Sequence, residues 1–333
     1  MSTIKDVAAE AGVSIATVSY VLNGTKKVSR EVEERVLAAA QKLNYRANST
    51  ARNLRRNETR IIGYEIPYPN KGDDASLMQL FVYGISLEAA NYGYHIITFT
   101  VPERRNPIEH YEHMIHSDRV DGFILTDTNW KDERIHFLLD HKIPFVSFGR
   151  TRTERDYHYV DVDGAYGIQQ VVEYLIRKGH RQIAFIAWPE NSLSGDGRLQ
   201  GYIETLEKSG LDYDPKFIRR VHNTANAGYE AARELLTQEP LPTAIVCVSD
   251  IIAIGAIRYA QQHGLAVGKD IAISGFDDLA LAQFVTPALT TISQPIEEIE
   301  REVVRLLIRQ LNGNPDPNHQ ILIKPKLIIR EST

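Results

Sequence analysis

The chain has 333 residues, of which 43% are hydrophobic and 24% charged, a composition typical of a globular protein of two or three domains. No apolar run approaches the roughly 18 residues of a membrane-spanning helix, the first residues lack the layout of a secretory signal, and the single cysteine, Cys247, excludes an internal disulfide. We therefore expect a cytoplasmic protein that is not attached to a membrane.

Charge is distributed unevenly along the chain. Residues 1–60 contain eleven Lys and Arg against six Asp and Glu, a net charge of +5, whereas the remaining residues contain 27 basic and 37 acidic ones, a net charge of −10. A small basic segment joined to an acidic body indicates that the N-terminal segment alone seeks a polyanion such as nucleic acid.

The first 47 residues predict three short helices. Thr3 is a suitable N-cap for the first helix, Gly12 ends it, Ser14 begins the second helix and Ser29 begins the third. Apolar residues recur with helical spacing and are predicted to face inward: Ile4, Val7, Ala8, Ala11, Val18, Val21, Leu22, Val32, Val36, Ala39 and Leu43. Two helices joined by a tight glycine turn and followed by a third are typical of a helix-turn-helix.

The second helix presents small, apolar or hydrogen-bonding side chains on its outward face, namely Ile15, Ala16, Ser19 and Tyr20. A surface helix without a binding role usually carries Lys or Glu there, whereas these side chains suit base edges in a DNA major groove. Short donors suited to phosphate oxygens are Thr3, Ser14, Thr17, Ser19 and Asn23. The alternative is that the three helices merely cap the rest of the protein.

Four ungapped segments carry a specific pattern: Thr3-Ile4-Lys5-Asp6-Val7-Ala8, Ala11-Gly12-Val13-Ser14, Ala16-Thr17-Val18-Ser19 and Asn23-Gly24. Together they resemble the DNA-binding signature of the lactose/galactose repressor family. The resemblance implies a homodimeric repressor that binds a pseudo-palindromic operator in double-stranded DNA and is controlled allosterically by a small molecule. Tyr20 replaces the Arg or His usual in the family, so the operator sequence does not follow from the resemblance.

Residues 48–60 predict a short basic helix and a linker. A helix of one or two turns is marginal alone, and its flanking arginines indicate an anionic partner. The segment resembles the hinge helix of the family, which implies that it orders on DNA and that Leu54 inserts between base pairs from the minor groove. The residues predicted for this role are Asn48, Ser49, Ala51, Arg52, Leu54 and Arg55. Without the three predicted helices before it, the segment 48–56 would be interpreted as a basic linker.

From residue 61 onward, apolar strand-like runs alternate with amphipathic helical stretches, which predicts an α/β body of doubly wound parallel sheets. The predicted strands are 61–66, 95–100, 120–125, 145–148, 182–187, 244–248 and 271–276. There are too many units for one compact sheet, so we predict two lobes, and the body resembles periplasmic binding proteins. The predicted divisions are 1–47 for the helix-turn-helix head, 48–60 for the hinge, 61–162 with 292–323 for lobe 1, and 163–291 with 324–333 for lobe 2.

Open parallel sheets bind ligands beyond the carboxyl ends of their strands, so polar residues in the loops after strands are candidates for a cleft between the lobes. Ser194, Arg198 and Arg150 lie in such loops, and the planar fork of Arg198 suits vicinal hydroxyls or a carboxylate. The family resemblance implies that Arg198 and Asp277 grip the effector and that Asp250 lies at the mouth of the cleft. The alternatives are helix N-caps for the two aspartates and a surface position for Arg198.

The chain departs from the family pattern at two places in this cleft. Asn223 stands where many members have a stacking aromatic residue, and Leu77 and Met78 replace a pair of aromatics. Both substitutions weaken stacking on the effector. A sugar or sugar derivative is the favoured effector class, and a nucleobase or another metabolite is the alternative.

Other functional classes find little support in the sequence. Asp277 and Asp278 are adjacent and diverge, Cys247 lies in an apolar strand, and the Gly195-x-Gly197-x-x-x-Gly201 spacing differs from a dinucleotide fingerprint. Three helical histidines, at positions 110, 113 and 116, are more typical of a solvated surface than of a metal site. We expect no catalytic residue, metal or cofactor. A solute-binding protein would share the body but would not need the basic head.

Overall fold

The computed structural model describes residues 2–23, 26–45, 58–66, 76–102, 106–117, 119–190 and 192–333, without the side chains of Asn23 and Ser76. The chain divides into two compact units, residues 1–59 and residues 60–333. The predicted hinge helix at 48–56 lies outside the described residues.

The N-terminal unit contains the three predicted helices, α1 (Ile4–Ala11), α2 (Ile15–Asn23) and α3 (Arg30–Lys42). Thr3 and Asp6 form a reciprocal capping box at the start of α1, Gly12 ends α1 with φ +65°, and Ser29 caps α3. The three helices share one apolar core, whose buried members are Val7, Ala8, Ala11, Val18, Val36, Ala39 and Ala40. The predicted helix starts, the glycine stop and most of the inward-facing residues are confirmed.

The larger unit begins with a parallel sheet of order β11-β5-β4-β3-β1-β2. Its strands are β1 (Ile61–Glu65), β2 (His95–Phe99), β3 (Gly122–Leu125), β4 (Phe145–Phe148), β5 (Tyr159–Val162) and β11 (Gln320–Ile323). Its helices are α4 (Ser76–Asn91), α5 (Pro107–His116), α6 (Glu133–Asp140) and α11 (Ile296–Leu311). Alternate residues of β3 belong to two different apolar clusters. Ile124 is clustered with residues of α4 and α11, whereas Phe123 and Leu125 are clustered with residues of α5 and α6. Helices therefore cover both faces of the sheet. We call this part the first lobe.

A second parallel sheet has the order β7-β6-β8-β9. Its strands are β6 (Ile183–Ala187), β7 (Ile218–Arg220), β8 (Ala244–Cys247) and β9 (Ala272–Ser274). The helices packed with it are α7 (Gly164–Arg177), α8 (Leu193–Lys208), α9 (Ala225–Leu235) and α10 (Asp250–Gln262), and 3₁₀ turns lie at Pro215–Phe217 and Ala280–Gln283. Helices α9 and α10 approach so closely that a Cβ on Gly255 would lie 1.9 Å from the carbonyl oxygen of Ala225. We call this part the second lobe.

A short antiparallel pair, β10 (Thr291–Ser293) with β12 (Lys326–Ile328), adjoins the second lobe, where Ser274 and Asp277 form bridges to residues 290 and 293. The predicted parallel α/β body is confirmed. Each predicted strand is present with the same or shorter bounds, and the predicted strand 271–276 is reduced to Ala272–Ser274. Strands β5, β7, β10, β11 and β12 were not predicted, because each is three or four residues long and none contains more than three consecutive apolar residues. The division into lobes at 162, 291 and 323 stays a prediction, because residues 60–333 form one compact unit.

Across the described residues, no helix combines the length and the apolar character needed to cross a membrane. In the same part of the chain, no three His, Cys, Asp or Glu side chains are grouped so that they could hold a metal ion.

Candidate DNA-reading helix and effector cleft

Helix α2 exposes the start of its predicted reading face. Ile15 is 46% exposed and Ala16 is also exposed, whereas Ser19 and Tyr20 are half-buried. The ammonium of Lys26 lies 4.9 Å from the centre of the Tyr20 ring, and this contact shields part of the ring from solvent. An exposed isoleucine at the first position of a helix suits contact with a thymine methyl group.

The predicted phosphate donors mostly have structural partners as well. Thr3 Oγ1 donates to Asp6 at 2.8 Å, and Ser14 Oγ accepts from the backbone N–H of Thr17 at 3.1 Å and lies 2.9 Å from its hydroxyl. These bonds fix the starts of α1 and α2, where backbone N–H groups favour phosphate. Contacts of these residues with DNA stay predictions. The side chain of Asn23 and the hinge residues lie outside the described part: Asn48, Ser49, Ala51, Arg52, Leu54 and Arg55.

The strand order of each sheet locates the candidate effector site. In the second lobe the order reverses between β6 and β8, and in the first lobe between β1 and β3. Ligands of open α/β sheets bind outside the carboxyl ends of the strands at such switch points. Arg198 in the first turns of α8 reaches the carbonyl oxygen of Val248, just after β8, at 2.7 Å from Nη1. The predicted residue therefore lies at the switch point of the second lobe.

Arg198 is buried rather than at the surface, which removes the alternative of a surface position. Its guanidinium carbon lies 3.6 Å from the ring centre of Phe276 and 4.7 Å from that of Trp188. Burial lowers the pKa of this guanidinium, and the carboxylate of Asp277, 3.9 Å from Nη1, acts in the opposite direction. Among the described residues, no group accepts a hydrogen bond from its buried Nε. A buried cationic donor without a partner is costly unless a ligand satisfies it.

Asp277 is held in a constrained loop after β9. Its φ is +118° and that of Asp278 is +56°, values that non-glycine residues rarely adopt, and such strain is often found at ligand sites. The loop is tied down because Asp277 N donates to Ile292 O at 2.8 Å and Arg330 pairs with Asp278 at 2.7 Å. Asp277 Oδ1 accepts from Gln294 at 2.6 Å and does not cap a helix.

The position of Asp250 differs from the prediction. Its side chain is fully buried, Oδ2 accepts from Leu279 N at 2.7 Å, and Oδ1 accepts from the Thr291 hydroxyl at 2.5 Å. Burial and then repulsion from Asp277 raise the pKa of this carboxyl. Asp250 therefore supports the loop that carries Asp277 and does not line the cleft. It is not the N-cap of α10 either, because Ser249 has that role.

Asn223 lies in the loop after β7 and contacts one residue that follows β6 and one that follows β8. Its Oδ1 accepts from the Ser249 hydroxyl at 2.5 Å and from Trp188 Nε1 at 3.4 Å. Because the indole N–H can only donate, the amide must turn its oxygen toward Trp188, which leaves the amide nitrogen for other partners. An aromatic side chain, Trp188, directly follows β6 and thus lies beside Asn223.

Residues of both lobes meet at Asp161 in β5. Arg150 Nε donates to Asp161 Oδ2 at 2.7 Å, and the Ser194 hydroxyl, in the first turn of α8, lies 3.5 Å from the same oxygen. Asp161 is only 3% exposed. Two predicted residues, Arg150 and Ser194, are therefore brought together by a carboxylate that the sequence analysis did not single out.

Leu77 and Met78 lie in the first turn of α4 and are half-buried. The Tyr64 hydroxyl donates to the sulfur of Met78 at 2.6 Å and lies 3.0 Å from the Thr126 hydroxyl. Burial raises the pKa of Tyr64 to about 12. Since Tyr64 belongs to β1 and Thr126 follows β3, Met78 lies at the switch point of the first lobe.

Three residues that contact this site were not predicted from the sequence, namely Trp188, Asp161 and Gln294. Trp188 could have been found, because it directly follows a predicted strand at the edge where ligands bind. Asp161 and Gln294 lie in or beside strands that were not predicted, β5 and β10, so the sequence pattern contained no signal for them.

The head and the cleft define the class of this protein: a helix-turn-helix DNA-binding unit joined to a two-sheet body with a candidate ligand site. Comparisons agree with this definition. Residues 3–48 match the family of bacterial regulatory proteins called the lacI family, and residues 172–333 match the periplasmic binding protein-like domain. The HTH-type transcriptional repressor CytR of Escherichia coli (strain K12) is 35% identical over 332 residues, which cover 100% of this chain and 96% of that repressor.

Two solved structures extend the likeness to the whole chain. A lac repressor dimer bound to operator and the anti-inducer ONPF has a TM-score of 0.84 at 28% identity, covering 100% of this chain and 99% of that one. A complex of the transcriptional regulator CelR with cellobiose has a TM-score of 0.76 at 31% identity, covering 100% of both chains. The chain belongs to the lacI family of bacterial regulatory proteins. It is a ligand-responsive, DNA-binding transcriptional repressor, and the predicted fold class and family are confirmed.

Proposed function

We propose that this repressor binds a pseudo-palindromic operator as a homodimer and that a sugar or sugar derivative, bound between its lobes, controls operator affinity. The observation that carries the effector site is Arg198, a buried guanidinium between two aromatic rings at the switch point of a parallel sheet. Within the described part of the chain, its Nε has no hydrogen-bond acceptor. Arg198 and Asp277 are the central binding pair.

The chemistry of the cleft supports a polyol ligand. Arg198 and the Asn223 amide supply donors, and the carboxylates of Asp277 and Asp161 supply acceptors, which together suit a set of neighbouring hydroxyl groups. Further effector contacts are proposed for Leu77, Met78, Arg150 and Ser194. The CelR relative binds cellobiose, which supports the same class. A nucleobase is the second candidate, because the half-buried Trp188 supplies an aromatic ring on which a planar base can stack.

The homodimer is supported by the lac repressor relative, which is a dimer, and by an apolar stripe on α4. Leu80, Tyr83 and Leu87 lie on one face of this helix and are 60%, 66% and 54% exposed. Twofold symmetry of the protein requires a matching symmetry in the operator, so each head reads one half-site. The contacts proposed for each head are Thr3, Ser14, Ile15, Ala16, Thr17, Ser19, Tyr20 and Asn23.

The proposed switch acts through the hinge residues. Effector binding changes the relation of the two lobes and hence the distance between the paired hinge segments, which favours or prevents insertion of Leu54 between base pairs. The effector acts because it binds the two body states with different affinity. The chain is proposed to have no enzymatic activity and to reside in the cytoplasm, where its DNA partner is found. Burial raises the pKa of the Cys247 thiol, which argues against a nucleophilic role.

A thermal-shift screen tests the effector site. We expect one class among cellobiose, galactose, ribose, adenine, guanine and adenosine to raise the melting temperature of the full chain, because only a ligand of the folded state stabilises it. Asp277→Asn is expected to abolish this shift, whereas Glu207→Gln, at an exposed position of α8, is the control and should keep it. An equal shift in the Asp277 variant would contradict the assignment of the cleft.

A further inference from the structure

A hydrogen bond joins the two lobes beside the candidate cleft. Trp130 lies in the loop after β3 of the first lobe, and its Nε1 donates to Oδ2 of Asp196, in the first turn of α8 of the second lobe, at 2.9 Å. Both side chains are partly exposed, Trp130 by 36% and Asp196 by 25%. Water can therefore replace either partner when the lobes move apart.

The loop that carries Trp130 is held firmly to the first lobe. Arg134 is buried and donates to the carbonyl oxygens of Thr126 and Asp127, at 3.0 and 3.2 Å, and it pairs with Asp132 and Glu65. The guanidinium of Arg152 covers the Trp130 ring at 4.6 Å from its centre, and the Arg152 N–H donates to Trp130 O at 2.9 Å. The indole therefore has a fixed position relative to the first sheet.

Asp196 is held equally well in the second lobe. Arg220 Nη1 lies 3.2 Å from Asp196 Oδ1 and also donates to the carbonyl oxygen of Trp188 at 3.0 Å. The first turn of a helix favours an anion, which adds to the effect of Arg220. The two carboxylate oxygens thus have separate roles, one toward Arg220 within the lobe and the other toward Trp130 across the cleft.

We propose that Trp130 and Asp196 form a latch that holds the two lobes together beside the effector cleft, so that they are positioning residues for the switch. This inference rests on the proposed function. Each partner is fixed in its own lobe, and the bond can persist only while the lobes keep their present distance. Loss of a hydrogen bond to a charged acceptor at a partly exposed site is expected to raise the ratio of open to closed body by about tenfold.

Tryptophan fluorescence tests the latch without any ligand. The chain has two tryptophans, so Trp188→Phe leaves Trp130 as the single reporter in the full-length protein. In that background we compare Asp196→Ala, Asp196→Asn and Glu207→Ala by acrylamide quenching and small-angle X-ray scattering. Glu207 is an exposed residue on the same helix and serves as the control. Asp196→Asn keeps an oxygen that accepts from the indole N–H.

We expect Asp196→Ala to raise the quenching constant and the radius of gyration. Asp196→Asn should raise both by less, because it keeps one neutral acceptor oxygen, and Glu207→Ala should stay near the parent. Without the Trp188 change, Trp130→Phe should raise the radius of gyration as Asp196→Ala does, since it removes the N–H and keeps the ring on Arg152. Identical quenching and scattering in Asp196→Ala and Glu207→Ala would overturn the latch. These measurements involve no DNA and no effector, so a failure of the proposed function would appear separately, as an absence of ligand-dependent operator binding.

Discussion

Glu300 lies where α11 crosses α4, and its carboxylate is buried against Gly84. The side chain is 8% exposed, and a Cβ on Gly84 would lie 1.9 Å from its Oε2. Burial, with a smaller contribution from the neighbouring charge of Glu297, raises the pKa of Glu300 from 4.5 to about 7. The folded chain therefore binds this proton more tightly than the unfolded chain does.

The sign of the pH dependence follows from this difference. Between pH 4.5 and pH 7 the folded state holds more protons, so the free energy of unfolding falls as the pH rises. The destabilisation from this one group amounts to about 1 kcal/mol at pH 5 and about 3 kcal/mol at pH 8. Glu300→Gln keeps the size of the side chain and removes its titration. The stability of this variant relative to the parent should therefore improve by about 2 kcal/mol from pH 5 to pH 8.

Urea unfolding at both pH values and at one fixed protein concentration measures this change. Glu298→Gln is the matched control, because Glu298 is exposed on the same helix. We expect its stability relative to the parent to be the same at pH 5 and pH 8. A Glu300→Gln difference that does not change with pH would refute the reasoning, since it would mean that the carboxyl titrates alike in the folded and unfolded states.

Three further changes test the remaining parts of the molecule. Asp250→Ala leaves Leu279 N and the Thr291 hydroxyl unsatisfied in a buried site, so urea unfolding should show a loss of about 2–5 kcal/mol; a loss below 1 kcal/mol would contradict the supporting role. Ile15→Ala should weaken binding to a selected operator by about 1–3 kcal/mol and leave binding to random duplex unchanged, as measured by fluorescence anisotropy; equal losses on both would contradict base reading. Leu54→Ala should likewise reduce specific binding and have little effect on salt-dependent, non-specific binding. If the variant bends DNA as much as the parent in a gel-mobility assay, insertion of Leu54 between base pairs is contradicted.

The parts of the fold that the sequence predicts are those with strong local signals. The caps at Thr3 and Ser29 and the stop at Gly12 follow from residue type and spacing alone, and the structure confirms each of them. Strands such as Ile183–Ala187 are fully buried and therefore appear as continuous apolar runs. Strand β5 was missed because Asp161, which pairs with Arg150, interrupts its apolar pattern.

The candidate site was only partly predictable for a related reason. Arg198 and Asp277 follow strands in the chain, and parallel strands end at one edge of a sheet, so their proximity follows from topology. The burial of Asp250 could not be predicted in this way, because it depends on contacts with Leu279 and Thr291, which are 29 and 41 residues away in the chain. The same holds for Trp130 and Asp196, whose contact spans 66 residues and two sheets.

The most direct measurement is operator affinity with and without a saturating cleft ligand. We would identify the ligand by thermal shift, select the operator with the full chain, and compare the parent with Arg198→Ala by fluorescence anisotropy. We expect the ligand to change the operator dissociation constant of the parent by about 5- to 150-fold, the usual range of allosteric coupling. Arg198→Ala should bind the operator with unchanged, ligand-independent affinity. A parent whose operator affinity is the same at every ligand concentration would contradict control of the DNA-binding head from the cleft.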